Sequence, residues 1–137
     1  MTTPAVEPGF AVELALPIDS ALDRVTAALK AEGFGVLTTI DVQVTLKEKI
    51  DVDFVPYAIL GACNPVLAHR ALLADKRVGL LLPCNVMIFE ENGRSMVNIA
   101  NPEVMLAHGL ENDDLTAIAA EAAEKLRRVA AALGDAL

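Results

Sequence analysis

Apolar and polar positions alternate from the first hydrophobic cluster onward. Phe10, Val12, Leu14 and Leu16 stand against Ala11, Glu13 and Ala15, the period of a half-buried strand. The period then lengthens: Asp19-Ser20 offers N-cap chemistry, Leu22, Val25 and Leu29 recur at three and four, and Gly33 stops the helix in the left-handed conformation glycine adopts cheaply. Residues 35–40 (GVLTTI) read as a second, β-branched strand. Over 41–50 two periods compete, since Val42, Val44 and Leu46 alternate while Val42, Leu46 and Ile50 fall at i, i+4, i+8. The helix-forming run Leu46-Lys47-Glu48-Lys49 and a cap-like Asp41 favour a short helix.

The second half is punctuated by asparagine and proline. Residues 54–63 form a largely apolar strand with Pro56 near its start, and Asn64-Pro65, a cap followed by a first-turn proline, opens a helix to about Leu73. After a charged turn over 75–77, residues 80–89 predict another buried strand. Asn92-Gly93 is a two-residue hairpin signal and residues 96–99 return as the partner strand. Asn101-Pro102 repeats the cap device for one helical turn through Leu106. Asn112-Asp113-Asp114 caps a long helix with Leu115, Ile118, Ala122, Leu126, Val129 and Leu133 on one face, acids at its start, Lys125, Arg127 and Arg128 toward its end, and Gly134 as its stop. With no glycine-rich turn after the first strand and one explicit hairpin, the order predicts an α/β (α+β) two-layer sandwich. One mostly antiparallel or mixed sheet carries the helices, rather than a doubly wound parallel sheet.

Totals narrow the function. The 137 residues suit a single domain, 1–137, large enough for its own core, and 54% hydrophobic against 22% charged residues excludes a disordered chain. Eleven basic against nineteen acidic residues leave −8, which disfavours nucleic acid and anionic membrane as partners. The most apolar stretch, 78–89, is interrupted by Pro83 and Asn85 and is shorter than the ~20 residues of a membrane span. The first ten residues carry neither a basic nor an apolar signal region, and two cysteines are too few for a disulfide framework, so a cytoplasmic location is expected. A mean hydropathy of +0.45 with many aliphatic residues suggests more apolar surface than one small core hides, and hence a homodimer.

Candidate chemistry concentrates in two echoing segments, Leu60-Gly61-Ala62-Cys63-Asn64-Pro65 and Leu81-Leu82-Pro83-Cys84-Asn85-Val86, each an apolar stretch ending in Cys-Asn. Cys63 directly precedes a helix N-terminus, where N–H groups and the dipole favour a thiolate; burial opposes this, and Lys47 or a protonated His69 would tip the balance toward ionisation. Cys63 is therefore expected to be more reactive than Cys84. If the two strands are neighbours, Cys63, Cys84 and His69 could converge on a ligand or a metal ion, although their spacing matches no structural zinc pattern. The plainer reading makes both cysteines small core hydrophobes, Lys47 a solvated lysine and Asn64 a cap. Asn85 is unusual in an apolar strand, because a buried amide needs partners. His108 falls in a loop without an evident partner. Serine-hydrolase elbows, P-loops, dinucleotide fingerprints and His-Glu-x-x-His are absent.

Several blocks resemble the bacterial and archaeal domain of unknown function 302 family. They are Gly33-Phe34-Gly35-Val36-Leu37-Thr38, Thr45-Leu46-Lys47-Glu48-Lys49, Tyr57 through Pro65, Ala68-His69-Arg70-Ala71-Leu72, and Gly79 through Val86. The resemblance runs from the first strand to Asn101-Pro102 and is weakest in the C-terminal helix. It implies a two-layer fold with a curved antiparallel sheet and a homodimer, and no activity. Lys47, Cys63, Asn64, Pro65, His69, Cys84 and Asn85 all lie in these blocks. Three readings of function stand side by side. The first is a module binding a small anionic ligand or a metal ion through Cys63, His69 and Cys84, with Lys47, Asn64 and Asn85 near. The second is a thiol-dependent redox or transfer enzyme, with Cys63 as nucleophile and Cys84 as resolving thiol. The third is a structural dimer whose cysteines are core.

Overall fold

The computed structural model describes residues 8–106, 110 and 112–135. Five strands, β1 (Gly9–Leu14), β2 (Gly35–Asp41), β3 (Tyr57–Cys63), β4 (Cys84–Glu91) and β5 (Arg94–Ala100), make one sheet in the order β1-β5-β4-β3-β2. Every neighbouring pair is antiparallel. The helices are α1 (Ile18–Ala31), α2 (Val42–Ile50), α3 (Pro65–Ala74), the single turn α4 (Pro102–Met105) and α5 (Asp113–Asp135). Alternation decides the layers. Leu60, Ala62, Val86, Ile88, Val97 and Ile99 are buried against Ala21, Val25 and Leu29 of α1 and Leu126, Val129 and Leu133 of α5. The predicted α/β sandwich with an antiparallel sheet is the fold observed. A second cluster, Leu67, Ala71, Val78, Leu115, Ile118 and Ala122, joins α3 to the first half of α5.

Local chemistry sets the boundaries. Asp41 accepts from the Val44 N–H at 2.9 Å, so the ambiguous segment is a helix; no residue of α2 is buried, which explains why neither period dominated its sequence. Gly33, at φ 85°, closes α1 with its N–H on Lys30 O while the Phe34 N–H reaches Leu29 O, the paired bonds of a Schellman ending. Asn92 and Gly93 both have positive φ, as the tight hairpin requires. Asn112 accepts from the Asp114 and Leu115 N–H groups, and α5 continues through Gly134 to Asp135 rather than stopping there.

Three further expectations are corrected, the first being the strand read over 54–63, which begins only at Tyr57, after Pro56. The strand predicted over 80–89 begins only at Cys84, because residues Lys76–Leu81 wind into a 3₁₀ helix whose start is capped by Asp75. Helix α1 starts at Ile18, before the expected Asp19-Ser20 cap, and Pro17 at its N-cap position supplies no side-chain bond. The Ile18 N–H instead donates to Glu90 Oε1 at 2.7 Å, 72 residues away on β4. Among the described residues no helix is long and apolar enough to cross a membrane. His108 lies outside the described residues.

The Glu90 carboxylate thus replaces a local cap and ties α1 to the sheet. Glu90→Ala is expected to lower stability by about 1–2 kcal/mol, the value of a lost cap to a charged acceptor. A urea titration checks this, and a loss below about 0.5 kcal/mol, within the range of ordinary surface substitutions, would contradict the role.

Candidate functional site

The last residues of β3 lie beside the first residues of β4, and the segments adjoining this edge build the site. Ala62 pairs with Cys84 and Gly61 with Asn85 across the two strands, while Cys63 pairs with Gly35 of β2. Gly61 permits a close approach here: a Cβ at that position would sit 2.8 Å from Pro83 Cγ and collide with the Thr38 hydroxyl. Beyond this edge lies a cavity of about 290 Å³, lined on the sheet side by Phe34, Ala62, Cys63, Cys84 and Ala100, and on the helix side by Leu67, Ala71, Ile118, Ala119 and Ala122. It sits at the seam of the two core clusters, since its wall takes residues from both. Six of its lining residues are alanines, and their short side chains leave the space unfilled. Exposed Leu80, Asn85 and Met105 stand at its rim.

A closed void of that size would cost several kcal/mol at ~24 cal/mol per Å³, a large share of a typical 5–15 kcal/mol of stability. An opening to solvent relieves that cost by admitting water, and leaves an apolar wall from which a ligand can displace that water.

Both cysteines border this cavity, and both are free and half-buried; Cys84 pairs with the inward-facing Ala62, whereas Cys63, the next residue of β3, alternates to the other face of the sheet. Their electrostatics differ from the expectation for Cys63. Burial pushes the Cys63 thiol up rather than down. Asn64 accepts from the Leu67 N–H at 3.2 Å and Pro65 has no N–H, so two donors of the first turn of α3 are unavailable to a thiolate. Cys84 is raised from 9.0 to about 11, by burial first and by the charge of Cys63 second.

The other predicted residues divide. Asn64 and Asn85 line the cavity, Asn64 as the cap of α3 with its amide packed over Gly33. His69 does not join them: Asn64, Leu67, Ala68 and Ala71 form the cavity-facing stripe of α3, and His69 is exposed on another side of the helix. Lys47 is also elsewhere. Its helix follows Asp41, which pairs with Ala58 at the far end of β3, about 17 Å along the strand from Cys63 at ~3.4 Å per residue. There its ammonium binds Asp51 at 3.1 Å and Asp53 at 3.2 Å in an exposed cluster. Among the described residues no three His, Cys, Asp or Glu side chains gather to hold a metal ion, so the set Cys63, His69 and Cys84 is not assembled. Sequence reasoning missed the far wall, Ala119 and Ala122 of α5 with Met105 and Leu106; the signal available was alanine at helix positions that face a core.

The model of the family described as Domain of unknown function DUF302 matches residues 10–133. The chain belongs to this family. It is similar to an uncharacterised conserved DUF302 protein from Bacillus stearothermophilus, known from a crystal structure, with 30% identity and a TM-score of 0.84 over 93% of this chain and 98% of that one. None of the curated proteins matches. The match extends through most of α5, the part of the sequence where the resemblance to the DUF302 family was weakest.

The thiol of Cys84 gives a pH test. It holds its proton more tightly folded, at about 11, than at its ordinary 9.0, so its contribution to stability is full below pH 9 and is lost as pH rises through 11. The urea midpoint is expected to fall over that interval, and to fall less in Cys84→Ala, which has nothing to ionise there. Parallel pH profiles for the two proteins would contradict the assignment.

Proposed function

We propose that this DUF302 protein is a small-ligand-binding module whose site is the seam cavity, with Cys63 and Cys84 in its wall. The observation that carries the reading is that two cysteines from adjacent strands border one apolar cavity with an open rim. The raised thiols favour the neutral form at pH 7, which suits binding better than a permanently activated nucleophile. A small molecule replaces the metal ion considered from sequence. The test is a ¹⁵N correlation spectrum of the intact chain titrated with mixed neutral, anionic and cationic fragments of about ten heavy atoms. Amide shifts are expected to cluster in residues 62–71 and 118–122. Shifts confined elsewhere, or none, would overturn the reading.

A second proposal concerns assembly. The sheet face opposite α1 and α5 presents Ile40, Tyr57, Ile59, Met87, Phe89 and Met96, with Tyr57 stacked on Phe89 at 5.8 Å between ring centroids. In a chain of net charge −8, the charged strand residues of this face, Glu13, Glu91 and Arg94, stand at its hairpin end, with Glu13 paired to Arg94. A second copy of the chain, repelled from the acidic surface, meets little like charge across the rest of this face. Sedimentation equilibrium at micromolar concentration is expected to give twice 14.5 kDa, falling toward the single-chain mass in Phe89→Glu. A single-chain mass for the unaltered protein would overturn this.

A further inference from the structure

The chemistry of the cavity wall narrows the ligand further. Among the described residues, the lining contains no Asp, Glu, Lys, Arg or His, in a chain where 22% of residues are charged. Its polar side chains are the two thiols and the amides of Asn64 and Asn85. The Asn64 carbonyl is already engaged with the Leu67 N–H, its NH2 packs over Gly33, and Asn85 stands exposed at the rim. The nearest ion pair across the two helices that wall the cavity, Arg70–Glu121, is exposed, and neither residue lines it. An anion or cation drawn inside would shed its water and meet no opposite charge, a cost that hydrogen bonds from two neutral amides cannot offset. A hydrocarbon chain meets Ala71, Ile118, Ala119 and Ala122 and loses only apolar hydration.

We infer that the seam cavity binds a neutral, mainly apolar molecule, a medium-chain alcohol or a compound of like size and polarity. Its apolar part lies among the alanines of α3 and α5, and its single polar group lies toward Asn85 and the thiols. At about 30 Å³ per water-sized unit, the 290 Å³ hold roughly ten heavy atoms. The inference rests on the proposal that the cavity is a ligand site, and adds its chemical class.

The experiment uses three probes with one chain length and three head groups, 1-octanol, octanoate and octylamine, titrated calorimetrically into the intact protein at pH 7.5. 1-Octanol is expected to bind at least tenfold more tightly than either charged probe. Ala122→Phe, which fills the cavity, is expected to weaken it at least tenfold. Ala68→Leu, at a less buried position of the same wall, serves if Ala122→Phe fails to fold. If octanoate or octylamine binds as well as 1-octanol and the filling variant still abolishes binding, the class is wrong and the cavity reading stands. If no probe binds, or filling changes nothing, the cavity reading falls, and the class with it.

Discussion

Helix α5 is the element on which the rest depends, because one 23-residue rod serves two cores. At 1.5 Å per residue it runs for about 35 Å, longer than the strands it crosses. Its second half packs Leu126, Val129 and Leu133 on the sheet beside α1; its first half packs Leu115, Ile118 and Ala122 against α3 and the 3₁₀ turn. Exposed ion pairs, Arg70–Glu121, Arg127–Glu103 and Arg128–Glu32, link it to α3, to α4 and to the end of α1. Exposed pairs of this kind add little energy, and burial of the apolar face fixes the helix. The two clusters are held at a set spacing by a rigid helix, and six of the residues around the seam between them are alanines. The cavity is a consequence of that spacing.

The site's electrostatics depend on where the seam opens. Cys63 and Cys84 stand at the same end of adjacent strands, half-buried where the sheet borders the cavity. Desolvation therefore governs both thiols. A helix N-terminus supplies about 0.3–1 kcal/mol to a nearby anion, under one pKa unit, and here Asn64 and Pro65 leave fewer free donors than usual. The same dehydration that raises the thiols discourages any charged guest, which links the state of the cysteines to the kind of molecule the cavity can accept.

Much of the fold was legible because the signals were local. Asn64-Pro65, Asn101-Pro102, Asn92-Gly93 and Gly33 each fix their own boundary, and alternation of Phe10, Val12 and Leu14 identifies the inward face of β1 directly. The errors arise where a distant partner decides. Helix α1 begins early because Glu90, 72 residues away, caps it. The apolar run after Arg77 satisfies a strand pattern, yet its first part is a 3₁₀ helix packing Val78 into the second cluster. In the site, Cys63, Asn64, Cys84 and Asn85 were visible because they cluster in sequence. His69 and Lys47 are as near in sequence but are carried away by helix phase and by the length of β3. The alanines of α5 were invisible as site residues, because a small side chain on a core face reads as close packing until its neighbours are known.

The seam between the two clusters is open-rimmed apolar space rather than close-packed protein. A crystal of the intact chain pressurised with xenon tests it most directly, since xenon reports apolar space without head-group preference. A xenon peak is expected between Ala71 and Ala122, lost in crystals of the Ala122→Phe protein. Continuous side-chain density there, or a chain of ordered waters that xenon does not displace, would contradict it.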